Sequence, residues 1–405
     1  MSEERLSFCM VTTFYPPYHF GGDAIYAHRL SNALARRGHK VTVIHSADAY
    51  RALRRSDPAP FVHPEGMTLR PLARSAPRTA ALVSYISGRP AFYASELASI
   101  FRQEHFDVIH FHNVSLVGGP DVLRYGDGVK LYTTHEHWLV CPMHVLFRDN
   151  REPCVDPHCF RCTLKFRRPP QLWRYTGLLE RSVPHVDLFL SPSSFTIEAH
   201  RARGFTGAMR RLPLFAPESE IGQGEELNGG RPYFLFVGRL ERLKGVQVLV
   251  ELFRSYRNAD LLIAGSGTYD ASLRRQAGGL DHVHFLGSVY GARLDALYRG
   301  ATALLVPSVG YETFGMVVVE AMARGTPSIV HDLGALPEVI EDSGQAGIVY
   351  RTTDELLDAM GRMRADPNVR GELGERGRHA WEELWSEEPH LEGYFEAIDE
   401  ARRSV

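Results

Sequence analysis

What most constrains this chain is an alternation, run through twice, of short apolar segments of strand length with stretches whose apolar residues recur at helical spacing. The first pass opens with "RLSFCMVTTF" (5–14) and the loop "YPPYHFGGD". In the next segment, "AIYAHRLSNALARRGHKVTVI" (24–44), Ile25, Leu30, Ala33 and Leu34 fall near helical spacing, Gly38 is a helix stop and "KVTVI" is a second β-rich run. That is a β-α-β unit. The alternation continues through a helix expected at 91–104, the strands "FDVIHFH" and "KLYTTHE", a helix around 171–183 and the strand "VDLFLSPS". It breaks at 216–231, "APESEIGQGEELNGGR", a polar stretch without a period that reads as an interdomain linker. Beyond it the pattern restarts, with strands at "PYFLFVG", "ADLLIAGSG", "HVHFLGSV", "TALLVPS" and "PSIVHD" and helices between them.

Short apolar strands alternating with helices imply parallel sheets covered on both faces. At 405 residues the chain exceeds what one hydrophobic core usually serves. The expectation is therefore two doubly wound, Rossmann-like α/β domains, 1–216 and 217–385, facing a central cleft. Helices are expected at 353–364 and 369–384, with a last helix at 386–405 packing back on the first domain. Such sheets bind ligands beyond the carboxyl ends of their strands. Trp381, Trp385, Tyr394 and Phe395 read as packing residues.

A net charge of −2 offers no general attraction to polyanions, so a nucleic-acid partner is not expected and an acidic ligand must be met locally. The start of the chain reads as a first strand rather than an export signal, and no apolar stretch reaches the roughly 18 residues a membrane span needs. A cytoplasmic setting with reduced cysteines follows as the expectation. Peripheral contact with the inner face of the membrane is compatible with it. Of the 46 basic residues only Lys40, Lys130, Lys165 and Lys244 are lysines.

Arg239 and Lys244 lie in "GRLERLKG", just past the end of the strand "FLFVG", where two cations beside free backbone N–H groups suit a phosphate or diphosphate. In "VPSVGYETFGMVVVEAMARGTP" a helix is expected to begin near Phe314-Gly315-Met316 and to end at Gly325. Its first turn offers unpaired N–H groups to an anion. Glu312 precedes that helix and Glu320 lies within it, and a helical offset of eight, roughly 80°, lets both face one cleft. A carboxylate there accepts two hydroxyls, as a sugar presents them; the alternative is an ion pair between Glu320 and an arginine.

Diphosphate, ribose and sugar hydroxyls together suggest a nucleotide-sugar. With "GRLERLKG", "AGSG", "FLGSV", "VPSVGYETFGMVVVEAMARGTP" and "LGALPEVI" in that order, and "FDVIHFHN" upstream, the chain resembles the retaining glycosyltransferases of family four, of GT-B fold, over nearly its whole length. The resemblance implies that Arg239 and Lys244 hold the donor diphosphate and that Glu320 takes the ribose hydroxyls. Glu312 would lie by the transferred sugar, and the amides of Phe314, Gly315 and Met316 would contact its hydroxyls or the phosphate. Gly21 and Gly22 would let the backbone approach the diphosphate from the opposite domain, and His112 matches the family's active-site histidine, with His110 the near alternative. Many relatives have Gly-Gly before "LPE", where this chain has Gly334-Ala335. The acceptor would be a sugar, a lipid-linked glycan or a small molecule. No Asp-x-Asp pair is present to hold a divalent ion on a diphosphate, so metal-independent chemistry with no cofactor beyond the donor is expected.

A separate constellation is "CPMHVLFRDNREPCVDPHCFRC", an insertion at 141–162. Cys141, Cys154, Cys159 and Cys162 end in C-x2-C, a set competent for structural zinc, with His137, His144 and His158 as alternative ligands. After it, Arg167, Arg168 and Arg174 interleave with Phe166, Leu172, Trp173 and Tyr175, a pattern shared by membrane-docking helices and by plain surface helices. Three rival functions share the fold class. A nicotinamide oxidoreductase is disfavoured because "AGSG" runs into "TYD" without the third glycine. A nucleotide-sugar epimerase would bind the donor but no acceptor, and a non-catalytic binding protein would bind it and stop there.

Overall fold

The computed structural model describes residues 5–54, 58, 61, 63–218 and 230–404. Its strands are β1 (Ser7–Thr12), β2 (Lys40–Ser46), β3 (Met67–Leu72), β4 (Val108–Phe111), β5 (Val129–Thr133), β6 (Phe147–Arg148), β7 (Glu152–Pro153), β8 (Leu188–Ser191), β9 (Met209–Arg211), β10 (Tyr233–Val237), β11 (Asp260–Ala264), β12 (Val283–Gly287), β13 (Ala303–Val306), β14 (Ser328–His331) and β15 (Gly347–Tyr350). They form two sheets, in the orders β3-β2-β1-β4-β5-β8-β9 and β12-β11-β10-β13-β14-β15, and a small β6-β7 hairpin. Every pairing in the two large sheets is parallel. This is the GT-B architecture of two Rossmann-like α/β units.

The strand orders locate the site before any side chain is considered. Each sheet winds outward one way and then reverses, the first between β1 and β4, the second between β10 and β13. Where the order reverses, the loops leaving neighbouring strands part in opposite directions and open a crevice. The residues after β1 and β4 include Gly21, Gly22 and His112; those after β10 and β13 include Arg239, Lys244 and Glu312.

The chain passes between the sheets near Ala216 and returns near Trp385, and the two passages touch. Ala216 N–H donates to the Trp385 carbonyl at 3.0 Å, and Trp381 Nε1 donates to the Ala216 carbonyl at 3.0 Å. Trp381–Trp385 is a π-helical turn between the helices Pro367–Ala380 and Glu387–Ser404, a widened turn that directs both tryptophans inward. The last helix lies on the first sheet through Tyr394, whose OH is 3.0 Å from His110 Nδ1. Trp381, Trp385 and Tyr394 are buried. The linker read at 216–231 falls mostly outside the described residues, at 219–229.

The helix expected around 171–183 is instead three short pieces, Leu172–Tyr175, Leu178–Ser182 and Val183–His185. Gly177, at φ +66°, turns the chain into the second, and Pro184 lies within the last.

Candidate active site in the cleft

On the second sheet, the loop after β10 lies directly against the loop after β13. A Cβ on Gly245 would stand 1.8 Å from the Pro307 carbonyl oxygen, and Gly245 has φ +75°, so only glycine allows this approach. The approach delivers Lys244 to Glu312. Lys244 Nζ is 2.7 and 2.8 Å from the two carboxylate oxygens, and Ser308 Oγ donates to Oε1 at 2.6 Å. Burial pushes the Glu312 carboxyl up, but Lys244, Ser308 and the charge of Arg239 outweigh it and hold the group below the usual carboxylate range. Arg239 itself is more exposed and pairs with Glu241 at 3.0 Å. The "AGSG" glycines serve packing: a Cβ on Gly265 would fall 1.8 Å from the Gly238 carbonyl oxygen, and one on Gly267 2.3 Å from that of Leu240.

Glu320 looks elsewhere. It sits on the helix Met316–Met322, entered through Gly315 at φ +103° as the sequence suggested. Its Oε1 accepts from Arg29 Nη2 at 2.8 Å and its Oε2 from Tyr298 OH at 3.3 Å. Arg29 belongs to the helix Gly21–Arg36 beside the first sheet, so the pair spans the cleft. Because Glu312 lies in the turn before the helix, the helical offset does not govern it, and the two glutamates meet different partners. The Phe314 side chain is buried, near Trp385, which leaves its backbone as the part able to meet a ligand. At the Gly334-Ala335 departure, Ala335 N–H donates to the Glu312 carbonyl at 3.1 Å.

On the first sheet, Gly21 takes φ +76° at the start of its helix, and a Cβ on Gly22 would meet no atom within 4 Å, so the backbone there is open to a ligand. His112 follows β4 and is buried. Its Nδ1 is 3.0 Å from His135 Nε2, while its Nε2 has no partner among the described residues. Burial, and then the neighbouring His110 and His135, hold the ring well below the ordinary imidazole range, so it is neutral. His110 has both nitrogens engaged, by Tyr394 OH and by Thr133 Oγ1 at 2.8 Å.

The structure adds cleft residues that sequence reasoning passed over. His135 and Glu136 follow β5 as His112 follows β4, and that equivalence was the available signal. Glu136 is paired with His144 through the imidazole Nδ1. Asp23, next to Gly22, accepts from Asn113 Nδ2 at 3.4 Å. Burial first, then the charge of Glu136, pushes its carboxyl up to about 6 against the opposing pull of Arg239 and Asn113.

Cys141, Cys154, Cys159 and Cys162 line one small pocket with Met143, Phe147, Arg148 and His158, and all are free thiols. Among the described residues no three His, Cys, Asp or Glu side chains stand together as a formed metal site. In the basic and aromatic stretch Trp173 is buried under Arg174, whose guanidinium is 4.3 Å from the ring centroid, while Leu172 and Tyr175 are exposed. No helix among the described residues is long and apolar enough to cross a membrane.

Comparison with known proteins identifies the family and the fold. Residues 20–220 match the family model described as Glycosyltransferase Family 4, and residues 218–380 match Glycosyl transferases group 1. D-inositol 3-phosphate glycosyltransferase of an Arthrobacter species is 28% identical, over 94% of this chain and 91% of its own. Among solved structures, sucrose-phosphate synthase from Thermosynechococcus elongatus superposes with a TM-score of 0.76 at 22% identity, over 99% of this chain and 100% of that one. Anabaena HepE in complex with UDP and glucose superposes with a TM-score of 0.68 at 15% identity, over 98% and 100%.

Proposed function

The chain belongs to the family-four, group 1 glycosyltransferases, and from that premise we propose that it is a retaining enzyme carrying a sugar from a nucleotide-diphosphate donor to an acceptor hydroxyl, without a catalytic metal. One observation carries the reading: Arg239, Lys244 and Glu312 meet at the switch point of the second sheet, across from Gly22 and His112 at the switch point of the first. Residues 217–385 take the donor; residues 1–216, with the helix at 386–405, take the acceptor. The Anabaena neighbour, solved with UDP and glucose, supports a donor of this class.

In this reading Arg239 and Lys244 neutralise the diphosphate, Lys244 sharing its charge between phosphate and Glu312. The open backbone at Gly21 and Gly22 approaches the diphosphate from the other side. Glu320 gives up Arg29 for the ribose hydroxyls. Glu312 and the amides of Phe314, Gly315 and Met316 orient the transferred sugar. The chain offers no evident covalent nucleophile, so a front-face path is favoured: the bond from the anomeric carbon to the phosphate oxygen breaks as the acceptor oxygen bonds to the same face, and the acceptor proton passes to the departing phosphate. Fixed charges aimed at that leaving group are the main source of rate. Neutral His112 presents its unpartnered Nε2 to a sugar hydroxyl.

Thermal-shift screening against UDP- and GDP-sugars tests the donor, since a ligand at a hundred times its dissociation constant stabilises by about 2.7 kcal/mol. NMR of the transfer product then reads the anomeric configuration. An inverted anomer, or an isomerised donor with no glycoside formed, overturns the reading in favour of an inverting transferase or an epimerase.

A further inference from the structure

The insertion at 141–162 is held together by too little for what it does. Its regular structure is the two-residue strands of the β6-β7 hairpin and the short helix Cys159–Lys165. Of the seven non-glycine residues with positive φ among the described residues, four are here: His144, Leu146, Asp149 and Asn150. Such conformations persist only where the surroundings over-determine them. The surroundings are a small separate core of Cys141, Met143, Leu146, Cys154, Cys162 and Ala199, half of it cysteine. Yet the insertion supports the cleft. Phe147 lies against Gly310, where a Cβ would be 3.3 Å from its ring, and Tyr311, next to Glu312, packs on the same small core.

We propose that Cys141, Cys154, Cys159 and Cys162 bind one zinc ion as four thiolates, a closed structural site that fixes this insertion against the Glu312 loop. Four of the five cysteines in the chain line a single pocket, and four sulfurs are the donor set that tetrahedral zinc prefers. Among the described residues the thiols do not stand at coordinating separations, so the proposal requires the cysteine side chains to rotate about χ1, which moves a sulfur by on the order of 3 Å, to close on an ion. On binding, each thiol releases its proton to solvent and the centre carries two net negative charges. The site is prepared for that charge. Asp149 N–H already points at Cys162 Sγ at 3.4 Å, Arg148 lines the pocket, and Arg203 Nη2 donates to the Cys154 carbonyl at 2.6 Å. Of the alternative ligands, His137 and His144 do not line this pocket, and His158 lines it but is exposed beside Asp156 at 3.0 Å. The site is independent of the donor reading and supplies no step of the transfer.

The test is metal analysis of full-length protein purified without added metal. Wild type and Cys9→Ala, whose changed cysteine lies on β1, should each hold about one zinc per chain, and Cys159→Ser/Cys162→Ser less than about a tenth of that. Should the double variant fail to fold, cobalt exchange into wild type replaces it, with the intense visible bands and sulfur charge transfer of a tetrahedral thiolate site as the expected result. In the native protein these four thiols should react with Ellman's reagent only after a chelator is added. Iron in place of zinc, zinc retained by the double variant, or four thiols equally reactive with and without chelator overturns the proposal.

Discussion

Arg29 and Glu320, on opposite sides of the cleft, are joined by an ion pair of 2.8 Å between Nη2 and Oε1. Glu320 is the carboxylate assigned here to the donor ribose, so the arginine occupies the place that two hydroxyls would take. On the proposed assignment donor binding would exchange one partner for another, and the exchange is readable. Glu320→Gln loses charge-assisted hydrogen bonds worth about 1.5–3 kcal/mol, which should weaken donor binding roughly 10- to 100-fold. Arg29→Gln removes the competitor and should leave donor affinity equal or tighter. Isothermal titration with the donor found by screening checks both, and a tenfold loss in the arginine variant would assign Arg29 to the donor itself.

Lys244 and Glu312 form the second pair, and here the consequence is for stability as well as binding. Lys244→Ala leaves Ser308 as the one close side-chain donor among the described residues to a largely buried carboxylate, at a cost of about 1–3 kcal/mol near neutral pH. Lys244 holds the Glu312 carboxyl below its ordinary range, so the stability it contributes is fully present above an unfolded pKa of about 4.3. That contribution is lost as pH falls through the lower native value. The gap in urea-unfolding free energy between wild type and variant should thus narrow as pH is lowered below about 4. A gap that is constant or widens toward acid would mean the pair is not what stabilises this loop.

Much of this site was legible because parallel α/β folding writes its loops at strand ends. His112, Arg239, Lys244 and Glu312 each follow an apolar β-rich run directly or within a few residues, so finding the strands found them. What the sequence hid depends on how the halves meet. Arg29 and Glu320 are 291 positions apart, and no local pattern pairs them. The edge strand β3 was missed because it is largely exposed and carries Arg70 and Pro71, where an apolar run was the signal sought. His135 carried a signal in its place after β5, but only the register beside β4 shows that it is the neighbour of His112.

That neighbour yields a prediction about rate. With its Nδ1 on His135 Nε2, neutral His112 has its tautomer set by His135, and the tautomer decides whether Nε2 donates to a sugar oxygen or accepts from it. His135→Phe should lower kcat roughly 10- to 100-fold, less than the roughly hundredfold to ten-thousandfold attributed to a positioned acid or base because His135 acts through His112, while donor affinity stays within a factor of two or so. His110→Asn, which strips hydrogen bonds from Tyr394 and Thr133, should lower the melting temperature more than the rate. Steady-state kinetics beside calorimetry separates the two. Equal loss of rate in both variants would remove the distinction drawn between the histidines.

Asp23 gives the pH dependence its expected shape. His112 is held neutral well below the ordinary imidazole range, so an acidic limb near pH 6 is assigned to Asp23, whose carboxyl is raised to about 6 by burial and by Glu136. A raised native pKa for an acid means that the folded state binds the proton more tightly than the unfolded one. The charged form is then a penalty, absent below an unfolded pKa of about 3.9, growing as pH rises through the interval and complete above about 6. Asp23→Asn should therefore raise stability at pH 7 by about 1–2 kcal/mol, after discounting for its partial exposure, and by much less at pH 4. The same variant should flatten the pH 6 limb of the transfer rate, the usual trade in which a cleft carboxylate costs stability and serves function. Unfolding curves and rate profiles for wild type and variant across pH 4 to 8 check both effects. If the limb survives in Asp23→Asn, another group sets it, and Glu136 is the next to replace.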